Sequence, residues 1–341
     1  MLAHQSLAHY NTLALDAYAE WLATPASLDE LVAQLASARA ERLPITLLGE
    51  GSNVVLAGDI KGLVLRPALR GMEVLLDKPD SVLVAAAAGE HFDELVAWSL
   101  AQGYQGLENL SLIPGSVGAA PYQNIGAYGV ELSDRLVWVE AVQLSNGAVR
   151  RFRQDECRFA YRDSLFKSVL PGAFVITRIC LRLNKTSAAR PLVLHYADLA
   201  ERFAALPAAE QNADGLRQLV CALRISKLPD PAVLPNAGSF FKNPLVPEAQ
   251  AASLKQRFPA LPLYPQADGR AKLAAGWLIE QAGFKGKRVG QVAMHAKQAL
   301  VLVNHGGATG AEVLAYAESV RQAVREQFDV TLEQEPVVLG G

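Results

Sequence analysis

The sequence predicts an α+β protein built from three successive parts. Three observations lead there. Short apolar runs bounded by Gly, Asn, Asp or Ser recur between residues 45 and 183 and read as strands. Two capped helical patterns, at 27–40 and 91–102, punctuate that half. Past a Pro-bearing, Ala/Gln/Asn-rich change of character at 186–215, helical patterns dominate.

The first part is expected over 1–70. Ser27 and Glu30 make a capping box for the helix 27–40, and Leu28, Leu31, Val32 and Leu35 line one face. Residues 45–48 read as a buried strand, broken by Gly49, Glu50, Gly51, Ser52 and Asn53; 54–56 and 63–65 are further short strands. The second part is expected over 71–214. It opens with strands at 72–76 and 82–88. A helix at 91–102 points Phe92, Leu95, Val96 and Leu100 inward and stops at Gly103. Strands 136–144 and 149–153 form a hairpin across Ser145-Asn146-Gly147, followed by a strand at 174–183. The third part, 215–328, holds helices at 215–223, 248–258, 272–282 and 310–328 and a strand at 299–304. Thr309 and Glu312 box the last helix. A final strand within 330–339 is expected to return to the second part.

Composition narrows the function classes. Of 341 residues, 51% are hydrophobic and 19% charged, which suits a globular protein with a sizeable core. A net charge of -2 with no basic run argues against nucleic acid or an anionic membrane as partner. Cys157, Cys180 and Cys221 are widely spaced and form no disulfide framework, which points to a reducing compartment. The six histidines include no HExxH and no Cys/His group, so no metal is expected. The start lacks a basic n-region, and no apolar run approaches the roughly 18 residues that span a bilayer. The protein is expected to be cytoplasmic; its oligomeric state stays open.

The densest chemistry lies in SLIPGSVGAAPYQNIGAYG, residues 111–129. Gly115, Gly118, Gly126 and Gly129 permit close backbone approach and anion-binding nests. The stretch could wrap a phosphate or diphosphate, or it could be a plain interdomain loop. In NAGSFFKNP, 236–244, Ser239 follows a small, open backbone and could donate a proton, or could be an ordinary turn serine. In YRDSLFK, 161–167, the Arg162 fork suits a carboxylate or phosphate, or a surface ion pair. In LEQEP, Glu333 and Glu335 would face one side of a strand, where one raised pKa favours a protonated acid; a charged edge strand is the alternative. Lys227 suits a diphosphate as a point charge, and Tyr196 is either packing or ligand. Lys272 is expected near the start of the helix 272–282.

Together these segments resemble the type I UDP-N-acetylenolpyruvoylglucosamine reductases. The matching motifs are LLGEGSN (47–53), GLENLSLIPGSVGAAPYQNIGAYGVE (106–131), ECRFAYRDSLFK (156–167), LHYADL (194–199), RISKLPDP (224–231), NAGSFFKNP (236–244), YPQADGRAKLAAGWLIEQAG (264–283) and LEQEP (from 332). The resemblance implies an FAD-binding fold of the PCMH/vanillyl-alcohol-oxidase type in two α+β subdomains, plus a C-terminal α+β substrate-binding domain. It implies FAD as cofactor, NADPH as reductant, and UDP-N-acetylglucosamine enolpyruvate as substrate. FAD would be held by Gly49, Glu50, Gly51, Ser52 and Asn53, and by Ile113, Pro114, Gly115, Ser116, Gly118, Ala119, Gln123, Asn124, Gly126, Tyr128 and Gly129. Ser239 would be the proton donor, with Arg162 and Glu335 stabilising the intermediate. Tyr161, Tyr196, Lys227, Asn243 and Gln298 would contact the substrate. Two departures stand out. The family tail commonly reads LEPEVR, where this chain has Gln334 between the acids, Pro336 after them and Val337 in place of the base. Ala119 and Ala120 replace serines common in the flavin stretch.

Overall fold

A computed structural model describes residues 1–188 and 190–341, which divide into two units. The first unit comprises Met1–Gln5, Ala19–Glu50 and Lys61–Ser226. It holds a four-stranded sheet in the order Leu2–Ser6, Tyr18–Ala23, Ile60–Leu65, Ile45–Leu47, whose last pair runs parallel. Helix Leu28–Ala40 buries Leu31, Leu35 and Ala38 against Leu63 and Leu65. Ser27 Oγ accepts the Glu30 amide at 3.2 Å, while the Glu30 carboxylate accepts the Ala26 amide at 2.8 Å. Leu28, expected on the apolar face, is exposed. The strand Leu2–Ser6 escaped the sequence reading because it is an exposed edge strand with no apolar alternation.

The larger sheet of this unit is antiparallel. Its order is Val149–Arg153, Leu136–Gln143, Phe174–Lys185, Ser81–Ala87, Met72–Asp77. The expected hairpin is present, with Trp138 opposite Arg153 and Val142 opposite Val149, and Gly147 at φ 76 turns it. Val84, Ala86, Val139, Ala141, Ile179 and Leu181 form a buried face under helix Phe92–Ala101. That helix stops as expected: Gly103, at φ 77, donates its amide to the Leu100 carbonyl at 2.8 Å. Helices Ala197–Ala204 and Ala213–Lys227 share a separate cluster of Leu199, Phe203, Leu216, Val220 and Leu223.

The second unit comprises Ser6–Tyr18, Gly51–Ile60 and Lys227–Gly341. One sheet runs Asn236–Ser239, Val301–Asn304, Val292–Met294, Arg288–Val289. Asn304, fully buried, donates to the Leu13 carbonyl at 2.8 Å and accepts from the Gly306 and Ala308 amides. Helix Gly310–Phe328 carries the expected Thr309–Glu312 capping box. Two expectations are corrected. The helix expected over 272–282 begins at Ala275, and Lys272 lies in the strand Arg270–Leu273. That strand is paired on both sides, by Leu245–Pro247 and Leu263–Pro265, and the ladder overrides local helix propensity. The final strand, Val337–Leu339, pairs in parallel with Val54–Leu56 and not with a strand of 71–214. Val55 and Leu56 are fully buried in that pairing. Among the described residues no helix is long and apolar enough to cross a membrane.

Candidate active site

The glycine-rich stretch is held open by its neighbours. The Gly115 carbonyl accepts the Phe92 amide (2.9 Å), and the Val117 amide donates to the Glu90 carbonyl (2.8 Å), so the Gly115 and Ser116 amides lie outside this ladder. The Leu112 amide donates to the Asp93 carboxylate at 2.6 Å, and Leu112 itself sits at φ 56. Ile113 and Pro114 come next and lead to Gly115 at φ 122. A Cβ on Gly118 would lie 2.6 Å from the Ala88 methyl, and one on Gly49 would lie 3.0 Å from Ser116 Oγ and 3.4 Å from Ala119 Cβ. Gly49 therefore lets the first loop close onto the second. His91 Nδ1 pairs with Glu50 and ties the same two segments. These bare-backbone walls, with no room for a Cβ, fit a dinucleotide diphosphate. In the second unit, Gly51 at φ 68 packs against the Tyr10 carbonyl, and Ser52 leads to Asn53, whose carbonyl accepts the Val337 amide at 3.0 Å.

The stretch ends in a 3-10 turn, Ala120–Gln123, capped by Asn124 at φ 47. The Asn124 side chain is committed to the fold: it donates to Glu131 (2.8 Å) and to the Ala160 carbonyl (3.3 Å), and accepts the Ser133 amide (3.0 Å). Any cofactor contact there falls to its backbone. Gly126 sits in a two-residue strand facing Glu131, and Tyr128 (φ 48) and Gly129 (φ 84) form the turn beyond it. Tyr128 meets Tyr196 edge to face, ring centroids 6.0 Å apart. Tyr196 is half-exposed at the N-terminus of helix Ala197–Ala204.

Arg162 stands at a tight corner where Ala160 and Asp163 exchange backbone bonds of 3.1 Å. Its φ of 55 is left-handed, a corner conformation that favours glycine, and its Nη2 donates to the Gly126 carbonyl at 3.1 Å. Tyr161 lies beside it, with the guanidinium carbon 5.8 Å from the ring centroid.

A second cation was missed by the sequence reading. Arg224, on helix Ala213–Lys227, buries its Nε, which has no hydrogen-bond partner among the described residues. Burial holds its guanidinium below the usual arginine range; Tyr128 opposes that shift, and the field of Arg162 adds to it. Asp93 is already committed, forked by Arg217 at 2.7 and 2.9 Å. Burial alone would raise the Asp93 pKa, but the Arg217 and Leu112 bonds prevail and lower it. The available signal was spacing: Arg224 lies three residues before Lys227, on the same helical face. Lys227 is exposed at the end of that helix.

In the second unit, Asn236 folds the turn that presents Ser239. It donates to the Pro229 and Leu234 carbonyls and accepts the Gly238 amide at 2.9 Å, with Gly238 at φ 68. Ser239 is half-buried, followed by Phe240 and Phe241 at 0% and 1% exposure as anchors. The tail docks here: the Glu335 amide donates to the Phe240 carbonyl at 2.9 Å, and Gln334 bridges Phe241. The segment that carries Ser239 and the tail that carries Glu335, distant in sequence, thus run side by side, with Phe240 opposite Glu335. The expected pair of facing carboxylates is not found. Glu333 is exposed and paired with Lys242, whereas Glu335 is buried, because the chain is extended only at the Gln334 bridge and turns at Pro336. Asn243 Oδ1 accepts the Ala275 amide at 2.9 Å, and the Gln298 side chain lies against Gly276, so both flank the start of helix Ala275–Gln281.

Known proteins are similar to this chain. An FAD binding domain model matches residues 19–153, and a model of the UDP-N-acetylenolpyruvoylglucosamine reductase C-terminal domain matches 230–339. A UDP-N-acetylenolpyruvoylglucosamine reductase of Pseudomonas aeruginosa is 52% identical over 98% of this chain and 97% of its own. Its counterpart in Alcanivorax borkumensis is 54% identical over 96% and 93%. The crystal structure of the Thermus caldophilus reductase superimposes with a TM-score of 0.67 at 26% identity, covering 99% of both chains. A solvent-stable cholesterol oxidase, 13% identical with a TM-score of 0.51 over 98% of this chain and 86% of its own, shares the fold. The α+β flavin fold of the vanillyl-alcohol-oxidase type, FAD as cofactor and an oxidoreductase activity follow, and the chain belongs to the UDP-N-acetylenolpyruvoylglucosamine reductase family.

Proposed function

We propose that the protein reduces UDP-N-acetylglucosamine enolpyruvate to UDP-N-acetylmuramate with NADPH, a step in making peptidoglycan precursors. When bound, FAD supplies the hydride chemistry, accepting hydride from NADPH and passing one to the methylene carbon of the enol ether. The protein's own side chains handle the charge and the proton. Hydride addition leaves negative charge on the carbon beside the substrate carboxylate. Ser239 gives its proton to that carbon, so that hydride and proton together saturate the double bond. Arg162 and Glu335 stabilise the charge before the proton arrives. Arg224 pairs with an anionic group of the substrate, which answers its buried, unpartnered Nε. Tyr196, Lys227, Asn243 and Gln298 hold the UDP portion, and Tyr161 supports Arg162.

The observation that carries this reading is the backbone pairing that brings the segment after Ser239 against the tail of the buried Glu335. A hydroxyl and a buried acid carried on adjoining segments suit a substrate that must be protonated after hydride arrives, which simple alcohol oxidation does not require. The test is spectroscopic. Purified protein should be yellow, bleach with NADPH, and recover its colour when the enolpyruvyl sugar is added without oxygen. Colour that never returns with this substrate would refute the substrate assignment.

A further inference from the structure

We propose that Lys167 is a positioning residue for Arg162, acting through the arginine's own carbonyl. This rests on the role given to Arg162 above. Arg162 occupies a left-handed corner at φ 55, a conformation that ordinary residues seldom adopt. Such a conformation persists only where the surroundings over-determine it. Three contacts do so. Ala160 and Asp163 lock the corner from both sides with reciprocal backbone bonds. The guanidinium is tied forward to the Gly126 carbonyl of the flavin stretch. The Lys167 ammonium donates to the Arg162 carbonyl at 3.2 Å from behind.

The chain is shaped to bring Lys167 there. Residues Leu165–Val169 form a π-helical turn, closed by the Leu170 amide on the Leu165 carbonyl at 2.8 Å. Such wide turns are rare and gather at functional sites. The turn is pinned at its start by Ser164, 1% exposed, whose hydroxyl donates to the Tyr122 carbonyl at 2.6 Å and accepts the Phe166 amide. It is sealed by Leu165 and Phe166 in the core. An ammonium held this way fixes the direction of the Arg162 peptide, and so the line along which the guanidinium leaves the corner. Lys167 need not touch the substrate for this.

The test separates the two half-reactions by stopped-flow absorbance. Lys167→Met should keep its FAD and bleach with NADPH at the wild-type rate, while reoxidation by substrate slows by about 10- to 100-fold. Lys167→Arg should restore most of the loss. Added to Arg162→Ala, Lys167→Met should cause no further loss, because its effect passes through a side chain already gone. Multiplying losses in the double variant, or equal slowing of both half-reactions, overturns the proposal. Wild-type reoxidation by Arg162→Ala alone would overturn the role of Arg162 itself, a distinct result. Should Lys167→Met lose its FAD, Lys167→Gln, which keeps a neutral donor, is put through the same cycle with the same two outcomes.

Discussion

Replacing Arg224 by methionine should make the resting enzyme more stable and its substrate affinity worse. Methionine keeps much of the apolar stem and removes a charge whose burial outweighs the attraction of Tyr128, Asp93 and Cys221. The Arg224 Nε is buried with no partner among the described residues, Arg162 repels it, and Asp93 is committed to Arg217 and to the Leu112 amide. A buried polar group left unpaired costs about 1–3 kcal/mol, and a charged one more. Removing it should therefore raise stability by about 1–2 kcal/mol, read as a higher urea midpoint of the flavin-loaded protein at unchanged slope. The same change deletes a charge-assisted bond to the substrate anion, about 1.5–3 kcal/mol. That corresponds to roughly a 10- to 100-fold weaker Kd, measured by titrating the flavin absorbance with the enolpyruvyl sugar. The two effects have opposite signs, which no simple packing role produces. A variant that is less stable and binds substrate as tightly as wild type would show that Arg224 is a structural prop.

Ser239→Ala should leave bleaching by NADPH near normal and slow reoxidation by about 100-fold or more; equal loss in both halves would make Ser239 structural. Gly118→Ala forces a methyl to 2.6 Å from Ala88 Cβ, an overpacking of about 1–3 kcal/mol that should also displace the flavin stretch. Its FAD content after gel filtration should fall, and full retention would remove this wall from the cradle. Burial pushes the Cys157 thiol up to about 12 and the Cys180 thiol up to about 11, while unfolded thiols ionise near about 8.5. Above about pH 8.5 the unfolded chain binds fewer protons than the folded one, so the stability these thiols contribute is intact below that pH. It declines as pH rises toward the folded values, by up to about 1.4 kcal/mol per pH unit for each thiol. Cys157→Ala should flatten the fall of the urea midpoint between about pH 9 and about 10.5; an unchanged slope would contradict the linkage.

Legibility in the sequence tracked how local each signal is. Helix Phe92–Ala101 and the 136–153 hairpin were legible because their signals are local: an amphipathic period with a glycine stop, and an Asn-Gly turn between apolar runs. The same holds for the types of residue at the site, since Arg162, Ser239 and Glu335 each carry chemistry that their segments advertise. Proximity was not legible. That the tail of Glu335 runs beside the Ser239 segment depends on backbone pairing with Phe240 and Phe241, which no local pattern encodes. Spacing misled at Glu333 and Glu335, because a two-residue step faces one side only along a continuous strand. It misled again at Lys272, where pairing on both edges outweighs helix propensity. Arg224 was passed over because arginine on a helix ordinarily faces water. Beside it, Tyr128, Leu192 and Leu194 pack against the cluster to which this helix gives Leu216, Val220 and Leu223.

The docking of the tail has a consequence for how the protein comes to life on the ribosome. Asn53 and Glu335 are 282 residues apart, yet the Asn53 side-chain amide donates to the Glu335 carbonyl at 3.4 Å, and Val54–Leu56 forms its parallel pair with Val337–Leu339. At ordinary translation speeds the two are made roughly 15 to 60 s apart. Through that interval the apolar run Val54–Leu56 waits without the strand that completes it. The first unit, whose sheets are complete once Phe174–Lys185 is made, can fold in the meantime. The junction then closes late, when the segment bearing Glu335 pairs with Phe240 and Asn53. The order of synthesis thus makes this closure one of the last events of folding.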